Sequence, residues 1–128
     1  MDRTFVFAAA VLGFIGVAAG AFGTHALRDT LTPRDLEIFE TAVRYQLIHA
    51  VALLGIAAAA ARWTGVSGVV ALAGWSMIAG VIVFSGSLYA LVGTGVRTLG
   101  AVTPFGGLGL LVGWAALAWA AFKAPTGG

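Results

Sequence analysis

A chain of 128 residues with 9% charged and 60% apolar residues, and a formal charge of +2, has too few ionic groups to cover a water-soluble domain, in which about a quarter of residues are charged. With a mean hydropathy of +1.01, lipid is the expected solvent for most of it, and one domain, 1–128, is expected at this length. Seven scattered Lys and Arg residues exclude a nucleic-acid surface, and the lack of cysteine excludes disulfides, iron–sulfur clusters and thiolate zinc sites.

The first predicted span covers about 4–24. Phe5 to Gly23 holds no charge, and at about 1.5 Å per residue a helix of this length approaches the roughly 30 Å hydrocarbon layer. Ala19-Gly20-Ala21 resembles a signal-peptide cleavage site, but the segment reads better as a retained signal anchor. Ala9, Gly13, Gly16, Gly20 and Gly23 recur every three or four residues, with GxxxG at Gly16 and Gly20. Such a stripe of small residues lets a second helix approach closely in lipid, although Gly and Ala are common throughout this chain. The glycines at 20 and 23 suit either a helix end or a close contact.

Thr32, Pro33 and Asp35 form a helix start: a hydroxyl N-cap, proline at the first helical position and a carboxylate at the third. Only Gly55 weakens the pattern before Arg62, so one helix is predicted from 33 to 62. Its first half, about 33–45, is amphipathic. Leu36, Phe39, Val43, Leu47 and Ala50 form an apolar arc, with Arg34, Glu37, Glu40, Thr41 and Arg44 opposite. That half should lie at the water–lipid boundary, where Glu40 and Arg44 are spaced for an ion pair worth about 0.3–0.5 kcal/mol. Tyr45 and His49 share a third face with Ile38 and Ala42. The second half, 45–62, becomes the second span, anchored at its far end by Arg62 and Trp63.

Residues 64–68 read as a turn, and the third span is predicted at 66–92. Its centre holds Phe84-Ser85-Gly86-Ser87-Leu88-Tyr89, whose hydroxyls should bond to the preceding turn or to a neighbouring helix. Gly93 to Arg97 form a second turn. The fourth span, 103–122, begins at Thr103-Pro104 with the same cap-plus-proline signal as Thr32-Pro33; alternatively it begins near Thr98 and kinks at Pro104. Gly106, Gly109, Gly113, Ala116 and Ala120 form a second small-residue stripe. The tail 124–128 should be flexible. Four spans put both termini on one side, with Arg3, Arg62 and Lys123; Arg28, Arg34, Arg44 and Arg97 lie on the other, a near balance that leaves orientation open. The predicted fold is thus an all-α membrane protein: four transmembrane helices in a compact bundle, with an amphipathic interfacial helix leading into the second span.

His25 and His49 are the only histidines. They could bind a metal or haem, or pass protons. Two histidines with no carboxylate nearby fall short of the three or four ligands of a stable metal site, so the plain reading is that each bonds to backbone or a hydroxyl. His25, Tyr45, His49, Ser85, Ser87, Tyr89 and Thr103, together with Gln46, are expected to form a structural polar cluster. In lipid each polar group needs a partner, at about 0.6–2 kcal/mol per interhelical bond. A pocket for a lipid headgroup or a quinone would use the same residue types. No Asp, Glu, Lys or Arg sits mid-span, where proton-coupled transporters normally carry one. There is no nucleophile–histidine–acid set, carboxylate pair or phosphate-binding glycine loop. No catalytic, cofactor or metal residue is therefore assigned, and Gly13, Gly16, Gly20, Gly106, Gly109 and Gly113 are assigned to helix packing.

The set GAFGTHAL (20–27), Tyr45-x-x-x-His49, FSGSLY (84–89), TPFGG (103–107) and Gly113-Trp114 resembles the small membrane proteins of the domain of unknown function 423 family, the YgdD-like and transmembrane protein 256-like proteins. The resemblance spans about Phe5 to Phe122. It implies a compact four-span protein of a bacterial inner membrane or a mitochondrial-type membrane, and it supplies no activity and no catalytic residues. The expected role is that of a non-enzymatic accessory or structural subunit, with membrane lipids and other membrane subunits, or copies of itself, as partners. The alternatives are a small-solute or lipid transporter working as a homo-oligomer and, more weakly, a haem or quinone protein using His25 and His49.

Overall fold

Thr32 sets the frame of the molecule. In the computed structural model, which describes residues 2–126, its hydroxyl accepts a hydrogen bond from the Asp35 N–H at 3.1 Å. This cap opens α3, Pro33–Arg62, a single helix of 30 residues. At about 1.5 Å per residue it is roughly 45 Å long, well beyond the roughly 30 Å of hydrocarbon. Its first turns therefore stand outside, and there Arg34, Glu37, Glu40 and Arg44 are all exposed. Glu40 and Arg44 make no ion pair among the described residues. Asp35 instead takes the Arg97 guanidinium on both carboxylate oxygens, at 2.8 and 3.2 Å. That hydrogen bond, more than the bare charge, holds the Asp35 carboxyl below its usual range. It also ties the start of α3 to the last interhelical loop.

α1, Asp2–Ala18, passes through a π-helical turn at Ala19–Gly23 into α2, Thr24–Leu27, making one helical rod. Of the two roles open to Gly20 and Gly23, the close contact holds and the helix end does not. A glycine helix end needs a left-handed residue, and Gly95 is the residue with positive φ among those described. The wider π turn keeps the chain helical while Gly20 and Gly23 face α3. α4, Ser67–Thr94, follows a 3-10 turn at Thr64–Val66. It ends in Gly95 at φ 74°, whose N–H reaches the Leu91 carbonyl at 2.8 Å. α5, Thr103–Lys123, follows a 3-10 turn at Arg97–Ala101.

The start of α5 corrects the expected cap. Val102 already has helical dihedrals (φ −78°, ψ −33°), and no side chain caps the helix. Thr103 thus lies inside the first turn, with Pro104 next to it, where the missing proline N–H costs no hydrogen bond. Of the tail, Gly127 and Gly128 lie outside the described residues.

The fold is all-α, with no strand among the described residues. Four helical rods are long and apolar enough to cross a membrane. They pack in series: α1 on α3, α3 on α4, and α4 on α5. The α4–α5 seam is the closest, because glycines meet there backbone to backbone. A Cβ added at Gly106 would run into the Phe84 backbone, one at Gly80 would lie 2.7 Å from the Leu110 nitrogen, and one at Gly109 3.1 Å from the Gly80 Cα. Gly113 meets Met77. On α1, Gly16 receives Leu47, Gly20 receives Val43 and Gly23 receives Phe39.

Gly13 departs from the expected stripe: a Cβ added there would have nothing within 4 Å. At that level α1 meets α3 through Leu12 and Gly16, which turns Gly13 outward beside Phe14 and Val17. Away from the charged end, Phe5, Leu53, Ile56, Val70 and Met77 are fully buried and are joined by Ala116 and Ala120 of α5. Phe5 reaches this core only because Gly74 leaves room for its ring.

Candidate functional site

Gln46 lies on the apolar arc of α3, seven residues after Phe39 and four before Ala50, and is buried. Its amide nitrogen donates to the Leu12 carbonyl of α1 at 2.8 Å, and its amide oxygen accepts from the Tyr89 hydroxyl of α4 at 2.7 Å. One side chain thus pins three helices. Gly16 makes the approach possible, since a methyl there would crowd Leu47 and lie 3.5 Å from the Gln46 amide nitrogen. Tyr89 is held from the other side by the edge of Phe39, with ring centres 5.5 Å apart.

The serines form separate ties. Ser85 donates to the Ala42 carbonyl at 2.7 Å, joining α4 to α3. The Ser87 hydroxyl reaches the Phe84 carbonyl at 2.9 Å and the Thr103 hydroxyl the Leu99 carbonyl at 3.5 Å, and the two hydroxyls share a bond of 2.6 Å that joins α4 to α5. Helical geometry explains the split. Ser85 and Tyr89 are four apart and share the face toward α3, while Ser87, two residues on, turns toward α5.

His49 is buried between two fixed partners. Nδ1 lies 2.7 Å from the Tyr45 carbonyl, and Nε2 lies 3.1 Å from the Trp114 indole nitrogen. A carbonyl only accepts and an indole N–H only donates. The pair therefore assigns the tautomer: Nδ1 carries the proton, Nε2 accepts, and the ring is neutral. Both ring nitrogens are engaged, so metal ligation by His49 would require Trp114 to move away. Among the described residues no three His, Cys, Asp or Glu side chains gather as a metal site.

The polar cluster expected from the sequence is therefore four separate ties, and His25 joins none of them. His25 is exposed on α2, with no hydrogen bond among the described residues. The Tyr45 hydroxyl has no partner among them either, although its ring packs on Phe84 (centres 4.3 Å apart) and stacks with His49 at 15° between planes. Among the described residues every buried side-chain nitrogen and oxygen has a hydrogen-bond partner.

Above the His49–Trp114 bond, α3 and α5 part to leave a groove of about 720 Å³ lined by Tyr45, Phe84, Phe105, Leu108, Leu111 and Trp114, among others. A groove of about 870 Å³ runs along Asp2, Arg3, Val6 and Phe7, and one of about 360 Å³ along Gly13, Phe14, Val17 and Phe22. Neither Ser85 nor Ser87 lines any of the three. The importance of Gln46 is visible in the sequence as an amide on an apolar arc. The pairing of Trp114 with His49, 65 positions apart, carries no local signal.

The family model described as a protein of unknown function, DUF423, matches residues 19–107, from the π turn into the first turn of α5. The chain belongs to the DUF423 family. It is 38% identical over 121 residues to the UPF0382 membrane protein YwdK of Bacillus subtilis (strain 168), covering 94% of this chain and 98% of the relative. It is 39% identical over 118 residues to the UPF0382 inner membrane protein YgdD of Escherichia coli (strain K12), covering 89% and 86%. A UPF0382 membrane protein of Haemophilus influenzae is 35% identical over 126 residues, covering 98% and 99%. No solved structure matches. The DUF423 match includes Gln46, His49, Ser85, Ser87, Tyr89 and Thr103, and ends before Trp114.

Proposed function

We propose that this DUF423 protein is a non-catalytic accessory or structural subunit of an assembly in the bacterial inner membrane, acting by helix packing as a multi-pass protein. The observation that carries this reading is the contrast between inside and outside. Buried polar side chains are committed to holding the rods together, while the outer faces of α1 and α5 present Phe7, Phe14, Phe22, Phe105, Trp119 and Phe122, all well exposed. Gly13, unused by the seam inside the chain, adds a notch beside Phe14 in which a further helix would fit. The placement in the membrane is supported by the named inner membrane protein of Escherichia coli. A transport role draws less support, since Ser85 and Ser87 are engaged in helix ties and line none of the grooves.

Extraction of the tagged chain from its own membranes in mild detergent tests the proposal. The expected result is a larger particle with a stoichiometric second component or further copies of the chain, which Gly13→Leu dissociates without unfolding the protein. A chain that runs alone at every concentration would remove the accessory role.

A further inference from the structure

The seven cations and five carboxylates divide unevenly between the two ends of the bundle. Where α2 leads into α3, Arg28, Arg34, Arg44 and Arg97 stand with Asp29, Asp35, Glu37 and Glu40, four against four. The end that carries both termini has Arg3, Arg62 and Lys123 against Asp2 alone, so the whole formal charge of +2 sits there. The fold gathers these three exposed cations from three rods: the start of α1, the end of α3 and the end of α5. A Cβ added at Gly65 would lie 4.0 Å from the Pro125 ring, so the segment after Lys123 rests on the turn after Arg62. Phe5, lodged at Gly74, brings the first turn of α1 beside the first half of α4.

At the balanced end Arg97 is taken up by Asp35. The Arg3 guanidinium makes no hydrogen bond or ion pair among the described residues, and the Asp2 carboxylate accepts the Arg3 backbone N–H at 3.0 Å. The Lys123 ammonium lies 5.0 Å from the centre of the Trp119 ring. Tryptophan favours the headgroup level of a bilayer, and Trp63 and Trp119 both belong to this end, so its cations stand among headgroups. Beside Arg3 the groove of about 870 Å³ has Asp2, Arg3 and Thr4 at its mouth and Val6, Phe7 and Ala10 as its wall. A cationic mouth on an apolar wall is the two-part chemistry of a phospholipid. A zwitterionic headgroup brings equal charges of both signs and gains no net attraction from surplus cations, whereas an anionic headgroup does. We infer that the end carrying both termini is a docking surface for anionic phospholipid, its headgroups held by Arg3 and Lys123 and an acyl chain laid along Val6, Phe7 and Ala10. This inference stands independently of the accessory role.

The test compares quenching of tryptophan fluorescence by brominated phosphatidylglycerol and by brominated phosphatidylcholine, in phosphatidylcholine nanodiscs that hold the full chain at low salt. The phosphatidylglycerol should quench at about fivefold lower mole fraction. That preference should vanish in about 1 M salt, where charges are screened within about 3 Å. Arg3→Gln with Lys123→Gln cancels the surplus and should bring the two lipids level, while Arg3→Lys keeps the charge and should keep the preference. Arg28→Gln with Arg34→Gln removes as much charge from the opposite end and should leave the preference intact. Every side chain replaced is exposed, so all variants should unfold at the wild-type temperature in phosphatidylcholine alone. Equal quenching by the two lipids in the wild type would overturn the assignment. So would a preference that survives Arg3→Gln with Lys123→Gln, or one that Arg28→Gln with Arg34→Gln lowers to the same extent.

Discussion

A buried amide that holds three helices is the residue on which this bundle turns. Gln46→Leu would keep the volume, remove the bond to the Leu12 carbonyl and leave the Tyr89 hydroxyl without a partner in an apolar setting. The expected loss is about 1–3 kcal/mol of stability, measured by denaturant titration in detergent micelles. Tyr89→Phe alone should cost less, and in the Gln46→Leu background it should cost little or recover some stability, because it deletes the orphaned hydroxyl. A double-mutant cycle between the two should show coupling of at least about 0.5 kcal/mol; strict additivity would mean that the bond does not matter to the fold. That Gln46 is buried can be read from its place among Phe39, Val43 and Ala50. That it splits its two ends between different helices cannot, since the identity of an interhelical partner depends on how the rods cross.

Between elements, the glycines divide by what they touch rather than by how often they recur. Gly106→Ala forces a methyl into the Phe84 backbone, which has no rotamer by which to yield. It should destabilise the protein by about 1–3 kcal/mol. Gly86→Ala, on the same pair of helices but with open space around it, should be neutral or stabilise by up to about 1 kcal/mol through helix propensity. Thermal unfolding of the two variants in the same detergent separates the cases, and equal effects would contradict the seam. Element boundaries are legible where a local signal decides them. Thr32-Pro33 opens a helix as expected, because the residues before it are not helical. Thr103-Pro104 carries the same letters yet caps nothing, because a 3-10 turn delivers the chain to Val102 already helical. The overrun of the first rod to Leu27 is hidden for a similar reason: a glycine marks a helix end only if its φ is positive, which sequence does not state.

For the molecule as a whole, four rods of spanning length imply that both ends of the chain emerge on one side. A reporter that fluoresces only in the cytoplasm, fused in turn to each terminus, should give the same answer twice. A single cysteine at Arg34, in the exposed start of α3, should be labelled from the opposite side. Opposite results at the two termini would rule out the four-span arrangement. Solvent and span number are legible from composition and hydropathy alone, because lipid imposes them on every residue. The groove between α3 and α5 is not, since it is a gap between rods and gaps have no sequence pattern.

The serial packing also bears on how the protein is made. α1 finds α3, α3 finds α4 and α4 finds α5, so each rod leaving the ribosome meets a mate already in the bilayer, with short links such as 63–66 between them. Low separation between touching segments favours quick, orderly assembly. Nascent chains released after α4 should therefore already be stapled through Gln46 and Tyr89, needing only the last rod to close the hairpin.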